Sequence, residues 1–383
     1  CREDRRCARV PVPGGVLVSE RLSVSTVRAY RLGIPLQTGY ELAYGRFDAV
    51  ENAVIRVETE SGLIGWGCAA PDGHVTGETL EGNLDALVEA LAPTLQRSGE
   101  STVEELLDQV AERAPRDPAA RAAVDLALHD LWARQRGVSV QALLGGRERG
   151  IPTSITIGIL DVEETCAAAA EHLAEGFGIL KLKGGRDPAE DIARIRALRR
   201  AYGSEIGIRL DATQGYSFDQ ARAVMTALAD EIEFLEQPVD AGDLDGLAGL
   251  AAGGPVPVMA DEPVLGLDEA DEAMRRGLPL VCVKLMKSGG LAAASRICDL
   301  ALQHGARVMI GCMDELPISM AGAAHLALSH PAVAYADLDG HIGMLQRVAT
   351  GGLEIRGGRV SVAAKPGLGV QVDERQLEEF RVF

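Results

Sequence analysis

The sequence contains no apolar run of 18 or more residues, so no segment is expected to span a membrane. It has no basic patch either. With 38 Lys and Arg against 56 Asp and Glu, the net charge is −18, and nothing stands ready to neutralise phosphates. Nucleic acid and anionic membranes are therefore excluded as expected partners. The seven cysteines (1, 7, 68, 166, 282, 298 and 312) are scattered and form no Cys-x-x-Cys. This argues against a disulfide frame or a zinc site and for reduced thiols in a cytoplasmic protein. Walker and dinucleotide fingerprints are missing, so Ser288-Gly289-Gly290 reads as a strand-to-helix turn. His325 and His330 lack a His-Glu-x-x-His pattern and read as helix residues. Residues 1–20 have no signal-peptide apolar core and read as a disordered tail without a role.

What is present is a repeated pattern of apolar strands ending in charged residues. Lys181-Leu182-Lys183 closes the run Gly178-Ile179-Leu180 and empties into Gly184-Gly185. Residues two apart on a strand share a face, so both ammonium groups are expected to enter one site. Their mutual repulsion is expected to lower a lysine pKa from about 10.4 toward the range of a base. Taken alone, the pair reads first as a solvated surface feature. The register argues otherwise. Strand-like runs end at Asp211, Glu236, Asp261, Lys284, Gly311 and Asp337, with gaps from Lys181 of 30, 25, 25, 23, 27 and 26 residues. Helix-like stretches such as Pro188–Tyr202, Phe218–Asp230 and Leu291–His304 lie between them. One strand, one helix and two loops need about this much chain, which predicts a parallel β/α array. With Thr153–Gly158 as the first strand there are eight units, enough to close a barrel whose site lies at the C-terminal strand ends.

Before the barrel, Leu22–Leu32 reads as a strand, and Asn52–Glu58 with Leu63–Cys68 as a hairpin. Gly33–Phe47 and Ala69–Val75 read as mobile loops. Helices are predicted over Gly77–Gln96, Thr102–Arg113 and Asp117–Arg136. The divisions are then a tail over 1–20, an α+β domain over 21–145, the barrel over 146–345 and a C-terminal segment over 346–383. That last segment contains a hairpin over Gly351–Val362 and is expected to return to the first domain.

Asp211, Glu236 and Asp261 would converge from three successive strand ends. Three such hard oxygen donors repel unless a cation lies between them, and the absence of His and Cys among them favours Mg²⁺, or Mn²⁺, over zinc. Lys181 and Lys183 on the second strand and Lys284 on the sixth would face each other across that cation. This geometry suits removing a proton from one face of a carbon and returning it to the other. Lys287, three residues past Lys284, is the second candidate for the sixth-strand base.

The series Lys181-x-Lys183, Asp211, Glu236-Gln-Pro, Asp261-Glu262 and Lys284-x-x-Lys287-x-Gly-Gly resembles the enolase superfamily, muconate-lactonizing subgroup, over residues 22–375. The resemblance implies an α/β fold, a (β/α)7β modified TIM barrel with an α+β capping domain built from the N-terminal part and the C-terminal tail. It also implies Mg²⁺ on Asp211, Glu236 and Asp261, acid/base catalysis by Lys183 and Lys284, and assistance from Lys181. Within the subgroup, Asp337-Leu338-Asp339 and Gly311-Cys312-Met313-Asp314-Glu315 are similar to dipeptide epimerases, whose Asp-x-Asp binds the dipeptide ammonium. A dipeptide substrate is thereby implied, with Asp337, Asp339, Asp314, Glu315, Met313 and Tyr40 as its contacts. Tyr40, Leu42 and Tyr44 suit an apolar or mixed side-chain pocket, whereas Glu41 or Asp314 suits a basic one. His341 is a further residue placed to shape the pocket. Two departures stand out. Asp211-Ala212-Thr213 replaces the frequent Asp-Ala-Asn, and residues 37–45 lack the basic residue of some Ala-Glu epimerases. The alternatives are N-succinylamino acid racemase, o-succinylbenzoate synthase, a muconate-type cycloisomerase, or a metal-binding barrel without turnover. A homo-oligomer is expected.

Overall fold

The computed structural model describes residues 20–42, 45–146, 150–345 and 348–383. The expected tail therefore falls, apart from Glu20, outside the described residues.

The first domain is an antiparallel sheet backed by helices. Strands β1 (Leu22–Leu42), β2 (Gly45–Thr59), β3 (Ile64–Ala69) and β4 (Glu100–Ser101) stand in the order β3-β2-β1-β4. The expected mobile loop over Gly33–Phe47 is not found. β1 instead runs on and pairs with β2 as far as Leu42↔Gly45, with a register shift between Pro35 and Tyr40. Gly33, Pro35 and Gly39 look like breakers, but a two-stranded ribbon tolerates them where a central strand would not. The helices α1 (Leu80–Asp85) and α2 (Ala92–Arg97) are joined by a π-helical segment over Ala86–Leu91. Pro93, in the first turn of α2, has no N–H to give the ladder, which favours the wider turn before it. α3 (Val103–Arg113) starts at a Thr102–Glu105 capping box. α4 (Pro118–Gln135) is apolar nearly all round and almost wholly buried. It lies flush on β3 because Gly65 and Gly67 have no side chains. A Cβ at either would stand 2.3 or 1.8 Å from the carbonyl oxygens of Ala127 and Ala123. α5 (Val140–Leu143) and β5 (Ile151–Pro152) lead to the second domain.

There, eight parallel strands follow in chain order: β6 (Ile155–Ile157), β7 (Ile179–Lys183), β8 (Gly207–Asp211), β9 (Leu235–Glu236), β10 (Val258–Ala260), β11 (Leu280–Val283), β12 (Arg307–Ile310) and β13 (Val333–Ala336). They alternate with α6 (Val162–Ala174), α7 (Pro188–Tyr202), α8 (Phe218–Ala227), α9 (Leu244–Gly253), α10 (Leu267–Arg275), the short α11 (Leu285–Ser288) with α12 (Leu291–His304), and α13 (Pro317–Ser329). The result is the expected (β/α)7β barrel. Period-two alternation sorts its side chains into two separate apolar clusters. Outward residues such as Leu182, Ile208, Leu210, Val283 and Ile310 join the main core under the helices. Inward residues Phe234, Met259, Leu280, Cys282 and Met309 fill the barrel itself, with Tyr335 against them.

The C-terminal segment divides in two. β14 (Ala349–Gly351) pairs with β17 (Val370–Val372), while β15 (Leu353–Arg356) and β16 (Arg359–Val362) form the expected hairpin. That hairpin pairs with β5, just ahead of the barrel. The later part of the segment joins the first domain: the Leu368 N–H donates to Asp130 at 2.7 Å, and the Val382 N–H donates to the Ala29 carbonyl at 2.9 Å.

Candidate active site

Strand register sets the tips of the barrel level with one another. Lys183 is the Cα partner of Asp211, and Asp211 of Glu236. Asp261 follows directly after β10, and Lys284 directly after β11. Three acids and three lysines thus meet at one mouth. Asp211 Oδ1 accepts the N–H and hydroxyl of Thr213, both at 2.9 Å, and Oδ2 accepts from Lys183 at 2.7 Å with Lys181 at 3.0 Å. Asp261 receives Lys284 at 2.9 Å and Lys287 at 2.5 Å. Glu236 stands between them, fully buried, and neither of its oxygens has a hydrogen-bond partner. Lys181 Nζ is 3.0 Å from its Oε2, but off the hydrogen-bond direction.

The electrostatics differ from the expectation for a lysine pair. Burial pushes the pKa of Lys181 down, but Asp337, Glu236 and Asp211 reverse this and hold it well above its ordinary value. Lys183 is likewise depressed by burial and raised on balance by Asp211, with Lys181 and Lys284 working against it. The expected repulsion is real but outweighed, because each ammonium rests on a carboxylate within 3 Å. Lys284 is also raised, chiefly by Asp261 against burial. The carboxylates divide. Burial alone would raise Asp211, but Lys183 and Lys181 bring it below the usual range. Burial and then the Asp211 charge push Glu236 up to about 7, and burial with Asp261 pushes Glu262 up to about 8.

The seventh- and eighth-strand residues reach the same mouth in different ways. Met313 Sδ lies 3.9 Å from Lys284 Nζ. Asp314 accepts a hydrogen bond from the Tyr40 hydroxyl, which joins the ribbon of the first domain to the barrel mouth. Glu315 is turned inward: only 1% exposed, it accepts the Met313 N–H at 2.9 Å and so braces the turn. Asp337 is enclosed, with Oδ1 accepting from Ser154 at 2.6 Å and Oδ2 from Lys181 at 2.8 Å. Asp339 Oδ2 accepts the Thr156 N–H at 2.7 Å, and among the described residues its Oδ1 has only the Cys312 thiol, at 3.9 Å. Glu41 is paired with Arg186 at 2.7 Å. Tyr44 lies outside the described residues.

Further residues gather at the mouth. Lys287 is not a free base: it donates to the Asp261 carboxylate and carbonyl and to the Cys282 carbonyl at 3.2 Å. One turn of α11 bends it back under the strand end, where Asp261 holds it. Cys282 brings its Sγ within 4.8 Å of donor oxygens of Glu236 and Asp261. Its position two before Lys284 is the pattern that could have shown it. Thr213, Gln214 and Gln237 hold φ of 45°, 68° and 35° beside the acids.

A divalent cation fits this arrangement. Glu236 offers two buried oxygens without partners, flanked by carboxylates of Asp211 and Asp261, and a buried carboxylate left so is costly unless positive charge meets it. Oxygen donors suit a hard ion, and burial holds the Cys282 thiol protonated by raising its pKa well above the ordinary value.

Comparison with known proteins agrees. Residues 164–376 match the enolase C-terminal domain-like family, and residues 25–145 the N-terminal domain of mandelate racemase / muconate lactonizing enzyme. An L-Lys-D/L-Arg epimerase of Methylococcus capsulatus is 40% identical over 91% of this chain and 99% of its own. An N-succinyl-L-Arg/Lys racemase of Bacillus cereus is 30% identical over 94% of this chain and 99% of its own. The crystal structure of the Methylococcus capsulatus dipeptide epimerase with Mg and L-Arg-D-Lys superposes with a TM-score of 0.86, at 38% identity over 91% of this chain and 99% of that one. The chain belongs to the enolase superfamily, with the N- and C-terminal domains of its mandelate racemase and muconate lactonizing enzymes.

Proposed function

We propose that this chain is a Mg²⁺-dependent dipeptide epimerase that inverts the α-carbon of the C-terminal residue. The observation that carries the reading is the pair Lys183 and Lys284, on strands two and six of eight, each held by an acid that flanks Glu236. One of the two, entering as a neutral amine, takes the α-proton from one face of the carbon. The other, entering as an ammonium, gives a proton to the opposite face, so the count of protons is unchanged and the configuration inverts. Burial and the neighbouring charges of Lys181 and Lys284 work toward the neutral form of Lys183, against Asp211, which keeps its pKa raised on balance. Held by Asp211, Glu236 and Asp261, Mg²⁺ would supply positive charge beside the substrate carboxylate and make the α-carbon more acidic. Lys181 adds a further positive charge there, and Asp339 offers its less engaged oxygen to the dipeptide ammonium.

We assign a cationic side chain to the preferred substrates. The support is acid at the mouth, Asp314 bonded to Tyr40, together with the likeness to an L-Lys-D/L-Arg epimerase. The compartment we assign is the cytoplasm, supported by five cysteines that are free among the described residues.

Exchange of the α-proton in D₂O, read by mass spectrometry over L,L-dipeptides and N-succinylamino acids, tests the reading. Exchange is expected on dipeptides, strongest with Lys or Arg, and Lys183→Ala and Lys284→Ala should each lower it by about 10²–10⁴-fold. Full activity in either variant sinks the two-base mechanism. One observation favours an N-acylamino acid racemase as the second reading: both Asp337 oxygens already hold protein donors, leaving less acid for an ammonium. Exchange confined to N-succinylamino acids would establish it.

A further inference from the structure

Among the described residues no ladder joins β6 to β13; one bridge, Thr153↔Ala336, spans the seam from just ahead of β6. Side chains complete the seam. Thr153 Oγ1 accepts the Leu338 N–H at 2.9 Å, and Asp339 accepts the Thr156 N–H at 2.7 Å. At its centre lies Arg209, 2% exposed, inside the barrel two residues below Asp211. Its guanidinium lies against the rings of both Phe234 and Tyr335, 5.3 and 5.2 Å from their centroids, and the rings themselves meet edge to face. Nε donates to Glu233 at 2.8 Å, and Nη1 donates to the Ala336 carbonyl at 2.8 Å and to Ser154 Oγ at 3.1 Å.

We infer that Arg209 and Ser154 are positioning residues for the reaction, acting through Asp337 on Lys181. The Ser154 hydroxyl has a single proton. By accepting from Arg209 it is left to donate, and Asp337 Oδ1 receives it at 2.6 Å. That bond fixes the carboxylate plane, so Oδ2 meets Lys181 Nζ at 2.8 Å, and Nζ in turn stands 3.0 Å from both Asp211 and Glu236. The chain Arg209–Ser154–Asp337–Lys181 therefore runs from the barrel interior to the mouth without a gap. Each link is directional. The aromatic rings and two further acceptors clamp Arg209, so it cannot turn to release the hydroxyl. An apolar residue would fill the barrel equally well, and a buried guanidinium needs a reason to be there. Here it orients the one hydroxyl that orients Asp337.

The inference rests on the epimerase reading for its kinetic arm. In the intact enzyme, Ser154→Ala deletes one hydroxyl and should lower kcat/KM on dipeptides by about 10-fold to 100-fold, as befits loss of a hydrogen bond to a charged group. Asp337→Asn should lower it at least as far. Ser154→Ala introduced on Asp337→Asn should then cost nothing further, because the relay is already cut. A loss by the same factor in both backgrounds, or wild-type kcat/KM in Ser154→Ala, overturns the proposal. Arg209→Met should reproduce the Ser154→Ala loss, with Arg209→Lys recovering part of it by keeping a donor to Ser154. The crystal structure of Ser154→Ala separates this from the function itself. Asp337 turned away, with Lys181 Nζ displaced, supports the relay even if the wild type exchanges no dipeptide proton. Both side chains left in place overturn it.

Discussion

Two sets of buried carboxylates in this molecule meet opposite fates. On α4, Asp130 is 0% exposed, and every oxygen is occupied. Oδ1 accepts the Leu368 N–H at 2.7 Å and Arg134 at 2.9 Å, and Oδ2 accepts the Trp66 N–H at 3.0 Å. Asp125 accepts the Leu291 and Ala292 N–H groups at 2.7 and 3.1 Å, which caps α12 from another domain. At the barrel mouth, Glu236 is as deeply buried but has no hydrogen-bond donor, and one oxygen of Glu262 is equally bare. Burial is therefore not what separates structure from chemistry here. The donors are. A carboxylate saturated by backbone N–H groups ties elements together, whereas one left facing charge alone is available to something that arrives.

The strongest way to break this contrast is to exchange the outcomes. Glu236→Gln removes charge from a site with no donor to lose. Exchange activity should fall on the order of 10²–10³-fold, while the melting temperature measured in chelator should not drop. A large loss of stability in that variant would make Glu236 a structural staple after all. Asp130→Ala should do the reverse. It strands two buried N–H groups and a guanidinium, and should cost about 3 kcal/mol in denaturant unfolding. Activity per folded molecule should be preserved, since Asp130 touches no residue of the mouth.

The same contrast sharpens with pH. His325 belongs with the saturated groups: Nδ1 accepts the Gln141 N–H at 3.1 Å and Nε2 donates to the Leu368 carbonyl at 3.2 Å. Burial lowers its pKa to about 4, from about 6.5 unfolded. The fold thus prefers the neutral ring. Its stability contribution is whole above pH 6.5 and is lost as pH falls from there toward 4, by about 3 kcal/mol in all. Glu236 and Glu262, raised to about 7 and 8, run the other way over neighbouring pH. The comparison that isolates the histidine is the stability difference between wild type and His325→Gln. That difference should narrow on acidification, and a pH-independent gap would mean His325 is not buried neutral.

Of this contrast, the mouth was legible in the sequence, because β/α spacing and apolar runs are local signals. They located the strand ends and hence all three acids and Lys181, Lys183 and Lys284 at one mouth. What the spacing missed depends on partners distant in the chain. β1 continues through Gly33 and Pro35 because β2 lies beside it, which no window around residue 35 contains. The sign of the lysine shifts was misjudged because Asp211 and Asp337 are 28 and 156 residues from the lysines they hold. Arg209 and Cys282 were visible in principle, each two residues below a recognised strand end. Inside a barrel, that period points to its interior.

The smallest effect tests how the mouth stores strain. Thr213 has φ of 45°, a region that β-branched residues avoid. Its hydroxyl and N–H both donate to Asp211 Oδ1 at 2.9 Å, so the strained turn holds that carboxylate toward the lysines. Two substitutions separate the strain from the bond. Thr213→Asn relieves the backbone and keeps a side-chain donor, so it should stabilise by about 1 kcal/mol with little change in kcat. Thr213→Val keeps the strain and loses the donor, and should destabilise by about 2 kcal/mol. If Thr213→Asn also destabilises, the hydroxyl geometry outweighs the backbone cost. Asp211 would then owe its position to a saturated oxygen, as Asp130 does, and the line between the two sets of carboxylates would pass through a single residue.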